Sequence, residues 1–368
     1  MKKTFAQILA AQQAEPLDKV LDKVPQWAGA ELTIPSRLAS EQCSSSATAL
    51  YKAGLLKSCR SIADLTGGLG VDCWAFAQSA EKVYHNELNP ELSEAVKANF
   101  AKLGIANVEF SSEDAAQRLE SLPQVDAIYL DPSRRDGAGK KVFLVEDCRP
   151  DVLTMLPRLL EKAPTTVVKL SPMADLTMLR ERFGQKLREI HVVSLKGEVK
   201  ELLLILSRED NEEVSITATD LQSTLSFSPE DEQQASATYL TEVQELSDGL
   251  LYEPDPSITK AGAFKLPCER WGLKKLGRFT HLYLAQDKQA FGKYYRILDI
   301  FDFGKAGIKE CAAKYPCAEV SARNVPLSSE ELHTKLKVRP SADLHIFGVT
   351  LDLPQGPARK LIAAKRDF

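Results

Sequence analysis

The fold is decided by the stretch Ser61-Ile62-Ala63-Asp64-Leu65-Thr66-Gly67-Gly68-Leu69-Gly70-Val71-Asp72, a short strand, a glycine-rich turn and the start of a helix. Glycine lacks a Cβ, so a Gly-Gly-x-Gly turn lets the backbone pass close to a ligand. The first N–H groups of the following helix point at the same place. Alone, this pattern is compatible with any Rossmann-like nucleotide site.

Two further strands follow in the order that such a site requires. The stretch Lys82–Asn89 is a predicted strand that ends in the acid Glu87, roughly twenty residues after the glycines, where doubly wound folds hold ribose hydroxyls. The stretch Val125–Arg135 is an apolar strand that runs directly into Asp131-Pro132. Both acids therefore lie at the carboxyl edge of a sheet, where ligands bind in open α/β folds.

Composition bounds the class of protein. A chain of 368 residues predicts two or three domains. Its seven cysteines are scattered without a C-x-x-C pair, so we expect free thiols in a reducing compartment and no metal site. No apolar run has the length of a membrane span, and the start of the chain favours an amphipathic helix over a signal peptide. A cytoplasmic protein without a membrane partner is the expectation.

Charge is distributed unevenly along the chain. Residues 207–255 carry one Lys/Arg and 13 acids, whereas residues 256–368 carry 20 Lys/Arg and 11 acids. A basic module behind an acidic segment fits nucleic-acid contact. Neutralisation of the acidic segment by the basic one is the alternative that charge alone leaves open.

Alternating patterns over residues 59–206 predict a parallel sheet with helices on both faces. The last two predicted strands are joined through Lys196-Gly197-Glu198, and so short a connection implies an antiparallel hairpin. The predicted strands are 61–65, 82–87, 107–111, 125–131, 165–170, 190–195 and 200–206. The predicted helices are 72–80, 90–103, 114–121, 146–162 and 174–183. Residues 1–58 read as helical, either a cap on the core or a lining of the substrate side.

The three motifs resemble motifs I, II and IV of class I S-adenosylmethionine (SAM) dependent methyltransferases. Residues 41–53 and 252–264 resemble bacterial members with a C-terminal THUMP-like domain, and the catalytic part is similar to RNA-cap guanine-N2 methyltransferases. The resemblance implies an α/β, Rossmann-like sheet, parallel with a reversed last strand, followed by small α+β modules. The implied domains are an N-terminal helical segment (1–58), the methyltransferase domain (59–206), an acidic linker with a ferredoxin-like subdomain (207–290) and a THUMP-like basic domain (291–368).

The resemblance also implies SAM as the cofactor. Asp64 would accept from the ammonium of its amino-acid tail, Glu87 would hold both ribose hydroxyls, and Asp114 would accept from the adenine amine. For Asp114, a helix N-cap is an equally reasonable role. The predicted cofactor residues are Asp64, Thr66, Gly67, Gly68, Gly70, Glu87, Leu88, Asn89 and Asp114.

The residues beside the methyl group are predicted to be Asp131, Pro132 and Ser133. An exocyclic amine is a poor nucleophile, and two acceptors would orient its lone pair. The predicted substrate-side residues are Arg134, Arg135 and Lys169, of which the arginines suit a phosphate. The chain departs from the family pattern twice: Thr66 replaces the first glycine, and Ser133-Arg134 replaces a second proline and an aromatic residue.

Three functions follow. The first is a SAM-dependent methyltransferase acting on a base nitrogen of RNA, such as guanine N2, and the sequence leaves DNA, protein or a small molecule open as the acceptor. The second is an RNA-binding protein whose methyltransferase domain binds SAM but is catalytically vestigial. The third, an NAD-dependent oxidoreductase, lacks support because the sequence shows no Tyr-x-x-x-Lys or His–Asp pairing.

Overall fold

The described residues of this computed structural model, 15–133 and 148–367, form two units. The first comprises the described residues up to Leu195 together with Lys200–Ile216. The second comprises Lys196–Val199 and the described residues from Thr217 onward. The chain enters the second unit within β8 (Ser215–Thr219), which is hydrogen-bonded to β9 (Thr224–Phe227).

The sheet of the first unit has the strand order β3-β2-β1-β4-β5-β7-β6. Strands β1 to β5 are parallel, and β7 pairs antiparallel with β5. The order reverses between β1 and β4, which is the switch point where open α/β sheets bind ligands. The strands are β1 (Ser61–Asp64), β2 (Lys82–Asn86), β3 (Val108–Ser111), β4 (Ala127–Leu130), β5 (Thr165–Leu170), β6 (Leu187–Leu195) and β7 (Glu198–Ser207).

Most helices of the first unit begin at a side-chain cap. Ser36, Ser45, Asn89, Asp114, Asp151 and Asp175 each accept a first-turn N–H, which satisfies a donor that the helix leaves unpaired. The helices are α1 (residues 15–23), α2 (Arg37–Gln42), α3 (Ser46–Leu55), α4 (Val71–Ala77), α5 (Pro90–Lys102), α6 (Ala115–Ser121), α7 (Val152–Lys162) and α8 (Leu176–Phe183).

The second unit has a sheet of order β11-β12-β10-β13-β16-β15-β14. Its pairs are antiparallel except β14 with β15. The strands are β10 (Leu250–Pro254), β11 (Lys274–Lys275), β12 (Tyr283–Ala285), β13 (Gly292–Asp302), β14 (Glu319–Arg323), β15 (Leu344–Leu353) and β16 (Gly356–Asp367). The helices are α9 (Pro229–Gln234), α10 (Pro256–Ala261), α11 (Leu266–Trp271), α12 (Lys305–Lys314) and α13 (Ser329–Leu336).

The predicted sheet, with its reversed strand, agrees with the structure, and the differences are local. The predicted strand 125–131 is shorter, Ala127–Leu130. At its end the Asp131 N–H donates to the Thr66 hydroxyl, and before its start the Asp126 carboxylate accepts from Arg60 N and Ser61 N at 2.8 Å. The helix predicted over 146–162 begins at Val152, after the Asp151 cap. Residues 207–255, the acidic part of the predicted linker and subdomain (207–290), contain β8, β9, α9 and β10. The domain boundaries remain predictions, and the one at 290/291 falls between strands of a single sheet.

Two glycines of the turn after β1 are required by their neighbours. A Cβ on Gly67 would lie 2.2 Å from Nε2 of His85, whose buried ring contacts Phe110 at a centroid distance of 5.3 Å. Gly70 has φ +80°, and a Cβ there would lie 2.8 Å from Val96 Cγ1. The backbone of the turn therefore packs directly against side chains of β2 and α5, and these contacts determine its position relative to the sheet.

We predict that Gly67→Ala destabilises the protein by about 3 kcal/mol, because the new methyl overlaps a ring that close packing holds in place. Gly54→Ala is the matched control: apart from the backbone of α3 itself and the adjoining residues, no atom lies within 4 Å of its Cβ position, and alanine favours a helix, so we expect stabilisation of about 0.5 kcal/mol. Urea unfolding measures both. Gly67→Ala combined with His85→Ala should be less destabilised than the sum of the single changes; simple additivity would contradict this packing argument.

Candidate active site

Three carboxylates meet at the carboxyl edge of adjacent strands. Asp64 ends β1, Glu87 follows β2 and Asp131 follows β4, and these strands are neighbours in the order β2-β1-β4. The structure therefore brings together the acids of all three sequence motifs, at the switch point of the sheet.

Thr66 connects two of these motifs. Its Oγ1 accepts a hydrogen bond from the Asp131 N–H at 2.6 Å, and the neighbouring Leu65 N–H donates to Tyr129 O at 3.1 Å. A glycine at position 66 would lack this acceptor. The departure from the family pattern thus has a structural reason, because the hydroxyl fixes the Asp131 backbone against the glycine turn.

Both oxygens of Glu87 are held by backbone N–H groups. Oε2 accepts from Gly68 N and Oε1 accepts from Asn89 N, each at 2.9 Å. An ionised carboxylate has about four acceptor positions, so each oxygen keeps one for a ligand hydroxyl. The carboxylate is therefore positioned before any ligand binds.

The N–H groups of the glycine turn are largely used within the protein. Thr66 N donates to Asp64 Oδ1 at 3.0 Å, Gly67 N to Asn86 O at 2.7 Å and Gly70 N to Gly67 O at 2.9 Å, in addition to the bond from Gly68 N to Glu87. A pyrophosphate-binding turn needs such donors directed at the ligand. Here the turn presents carboxylates, which favour a ligand that carries positive charge.

Asp64 is the most deeply buried of these three carboxylates. Its side chain is buried, and the pKa is raised well above the ordinary value by desolvation and then by the nearby Asp72 carboxylate, with smaller contributions from Asp131 and Glu87. Within residues 15–133 and 148–367, no lysine or arginine forms an ion pair with Asp64 or Glu87. A bound cation would therefore relieve an unfavourable local field.

The other predicted cofactor residues surround Glu87. Leu88 is 68% exposed, which is unusual for a leucine and leaves an apolar surface beside the carboxylates. Asn89 caps α5 by accepting from Glu91 N at 3.0 Å, and Asp114 caps α6 by accepting from Ala116 N at 2.9 Å. The alternative role for Asp114 is thus observed, and its role toward a ligand remains a prediction.

The Asp131-Pro132-Ser133 segment leaves β4 at this edge. Pro132 is buried, whereas Ser133 is exposed and forms a two-way backbone bridge with Arg149, in which Ser133 N donates at 2.6 Å and Arg149 N donates at 3.0 Å. The predicted phosphate-binding residues Arg134 and Arg135 lie outside the described residues.

Lys169, near the end of β5, forms an ion pair with the Asp131 carboxylate. Burial opposes the charged ammonium, but the carboxylates of Asp131, Asp72 and Glu201 raise the Lys169 pKa above its ordinary value. The lysine predicted on the substrate side is therefore charged and engaged with the predicted catalytic acid.

Behind this pair lies a buried ionic cluster that sequence reasoning missed. The Lys52 ammonium of α3 lies 2.9 Å from Asp72 Oδ1 and 3.1 Å from Glu201 Oε1, and it donates to Ser44 Oγ at 3.0 Å. The Tyr129 hydroxyl donates to Asp72 Oδ2 at 2.9 Å. Burial opposes ionisation of Asp72, but Lys52 and Lys169 together lower its pKa.

Asn86 is a second residue that the sequence did not single out. Its buried amide donates to Leu65 O at 3.2 Å and Glu113 O at 3.0 Å, and its oxygen accepts from Glu113 N at 3.1 Å. It thereby ties the turns after β1 and β3 to β2. The only signal in the sequence was a polar residue just before Glu87 at the end of a predicted strand.

No helix in the described part of the chain is long and apolar enough to cross a bilayer. The same residues contain no group of three or more His, Cys, Asp and Glu side chains arranged to hold a metal ion.

Comparison with solved structures identifies relatives of the chain. The crystal structure described as "putative methyltransferase from Porphyromonas gingivalis W83" matches with a TM-score of 0.86 and 32% identity, over 97% of this chain and 90% of that one. The chain belongs to the family of this protein. Residues 250–291 also match a family described as a ferredoxin-like domain, which agrees with the predicted subdomain.

Other matches are weaker. An rRNA methylase from Streptococcus thermophilus matches 45% of this chain and 95% of its own, with 17% identity and a TM-score of 0.33. At that score the likeness carries no argument about this chain. Among proteins with curated functions, none matches the sequence.

We predict that Asp64→Asn stabilises the free protein by ~1–2 kcal/mol at pH 7.5, because the amide keeps an acceptor for Thr66 N without a buried charge. The folded-state pKa is raised, so Asp64 contributes a destabilisation that grows as the pH rises above about 4, and the variant lacks this contribution. Urea unfolding at pH 7.5 and pH 5 measures this: the difference should be smaller at pH 5, because the raised pKa leaves a larger fraction of Asp64 protonated at the lower pH. A variant less stable than wild type at pH 7.5 would contradict the prediction.

Proposed function

We propose that this protein is a SAM-dependent methyltransferase. The observation that carries the proposal is the pair of carboxylates Asp64 and Glu87, which no lysine or arginine of the described residues neutralises, beside a turn whose N–H groups are used internally. Such a site suits a ligand with a sulfonium, an ammonium and ribose hydroxyls better than a pyrophosphate. The family relationship to a protein described as a methyltransferase supports the same reading.

The residues present fit this cofactor. Asp64 would attract the ammonium, directly or through water, and the remaining acceptor positions of Glu87 would hold the ribose hydroxyls. The exposed Leu88 offers an apolar surface for adenine, and Asp114, the N-cap of α6, would accept a hydrogen bond from the adenine amine. Thr66, Gly67, Gly68, Gly70 and Asn89 form the backbone that positions these groups.

When bound, SAM supplies a methyl carbon activated by a sulfonium that leaves as a neutral thioether, so no strong general acid is required. Asp131 would accept an N–H of the acceptor amine and take its proton as the new C–N bond forms. The Pro132 carbonyl would accept the second N–H, and Ser133 would border the acceptor. Orientation and electrostatics would supply most of the rate.

We further propose that the acceptor is a base nitrogen in RNA, an exocyclic amine such as guanine N2. The excess of lysine and arginine over residues 256–368 supports contact with a polyanion, and a basic THUMP-like module at 291–368 would provide it. Arg134 and Arg135 would bind a phosphate near the reacting base. The replacement of the second proline by Ser133 keeps the vestigial, RNA-binding alternative as a possible outcome of the test.

We predict that the protein transfers labelled methyl from saturating SAM to RNA isolated from cells that lack it. Asp131→Asn should lower the rate at least 100-fold, because the amide cannot take the proton. Asp126→Asn, at the opposite end of β4, is the matched control and should transfer at the wild-type rate.

DNA and protein serve as parallel acceptors in the same assay. Binding of SAM, measured by calorimetry, without label in any acceptor would favour the vestigial alternative. Absence of SAM binding would refute the proposed cofactor.

A further inference from the structure

The ion pair between Lys169 and Asp131 places a fixed positive charge at the position of methyl transfer. Asp131 is anchored by its backbone to Thr66 in the cofactor turn, at 2.6 Å, and its carboxylate is bound by Lys169. The Lys169 side chain is 14% exposed and that of Asp131 is 37% exposed, so the carboxylate faces the open side and the ammonium lies behind it.

The buried cluster keeps Lys169 in this place. Asp72 and Glu201 attract its ammonium, while both acids are themselves held by Lys52, whose side chain has no exposed surface. Because carboxylates lie on several sides of the Lys169 ammonium, moving it away when a ligand binds would cost electrostatic energy. Its charge is therefore a permanent part of the site.

We infer that Lys169 determines acceptor specificity by cancelling the charge of Asp131, so that the site accepts an uncharged N–H group and excludes an alkylammonium. This inference rests on the proposed function. An unpaired carboxylate at the methyl group would attract a protonated lysine or N-terminus as readily as a base amine. Because the Lys169 ammonium lies directly behind the carboxylate, the pair has little net charge and an ammonium acceptor loses the attraction of a bare carboxylate, whereas a neutral N–H can still donate to the free lone pairs of Asp131.

The cofactor itself provides a probe of this cancellation, because SAM carries a sulfonium and S-adenosylhomocysteine (SAH) does not. Lys169→Met leaves the negative charge of Asp131 without its partner and should increase the affinity for SAM, relative to that for SAH, by about tenfold. Asp131→Asn leaves the positive charge of Lys169 without its partner and should decrease the affinity for SAM, relative to that for SAH, by a similar factor. The double variant should return to the wild-type ratio.

Calorimetric Kd values for SAM and SAH in these four proteins form a double-mutant cycle. Lys169→Arg, which keeps the charge, should match wild type, and Lys82→Met, which breaks the exposed pair with Glu109 at 3.1 Å, controls for loss of an ordinary ion pair. If Lys169 had a purely structural role, the two single variants would change the SAM/SAH affinity ratio in the same direction or would leave it unchanged. Either result would overturn the inference. Should Lys169→Met fail to fold, the Asp131→Asn ratio and the double variant decide the same question.

A second arm measures the acceptor directly. The wild type should label RNA and not poly-L-lysine, and Lys169→Met should reduce that preference at least tenfold. Equal labelling of both polymers by the wild type would overturn the inference. If the wild type binds SAM but labels nothing, the proposed catalysis fails while the SAM/SAH cycle still tests the charge cancellation.

Discussion

The first unit depends on the need to pair one buried charge. Lys52 comes from α3, Asp72 from α4 and Glu201 from β7, and their side chains meet where water is excluded. Removing one member of such a group leaves an uncompensated buried charge, which typically costs ~3–5 kcal/mol. The requirement locks the N-terminal helices onto the edge of the sheet that carries the candidate site. The N-terminal segment is therefore part of the support of that site, in addition to covering the core.

The same pairing connects the scaffold to the chemistry. Asp72 lies in the first turn of the helix that follows the glycine turn, and it accepts from the hydroxyl of Tyr129, two residues before Asp131. Lys169 then joins the cluster electrostatically to Asp131 itself. The network therefore includes the glycine turn, Asp131 and the buried lysines, and each polar group in it limits the position of the next.

Sequence reasoning found the parts of this network that are encoded locally. The glycine turn, Glu87 and Asp131 each follow a recognisable strand, so the sheet order and its ligand edge could be predicted. Lys52 and Glu201 are 149 residues apart, and no local pattern indicates that they meet. The role of Thr66 could not be predicted from the sequence either, because its hydroxyl accepts from a backbone N–H group 65 residues later in the chain. Domain boundaries are weakly encoded for the same reason, since strands before and after residue 290 share one sheet.

The division of charge within the site suits a reaction whose reactant is a cation. Asp64 and Glu87 would bind the ammonium and the ribose hydroxyls of the cofactor, whose charges do not change during methyl transfer. Their attraction would therefore stabilise the ground state and the transition state equally. A bare carboxylate at the sulfonium would instead favour the ground state, because the positive charge disperses as the methyl group leaves. Pairing Asp131 with Lys169 removes that bias while leaving lone pairs for the acceptor N–H. In the proposed reaction, this arrangement would separate tight binding of the cofactor from the charge that acts on the moving methyl group.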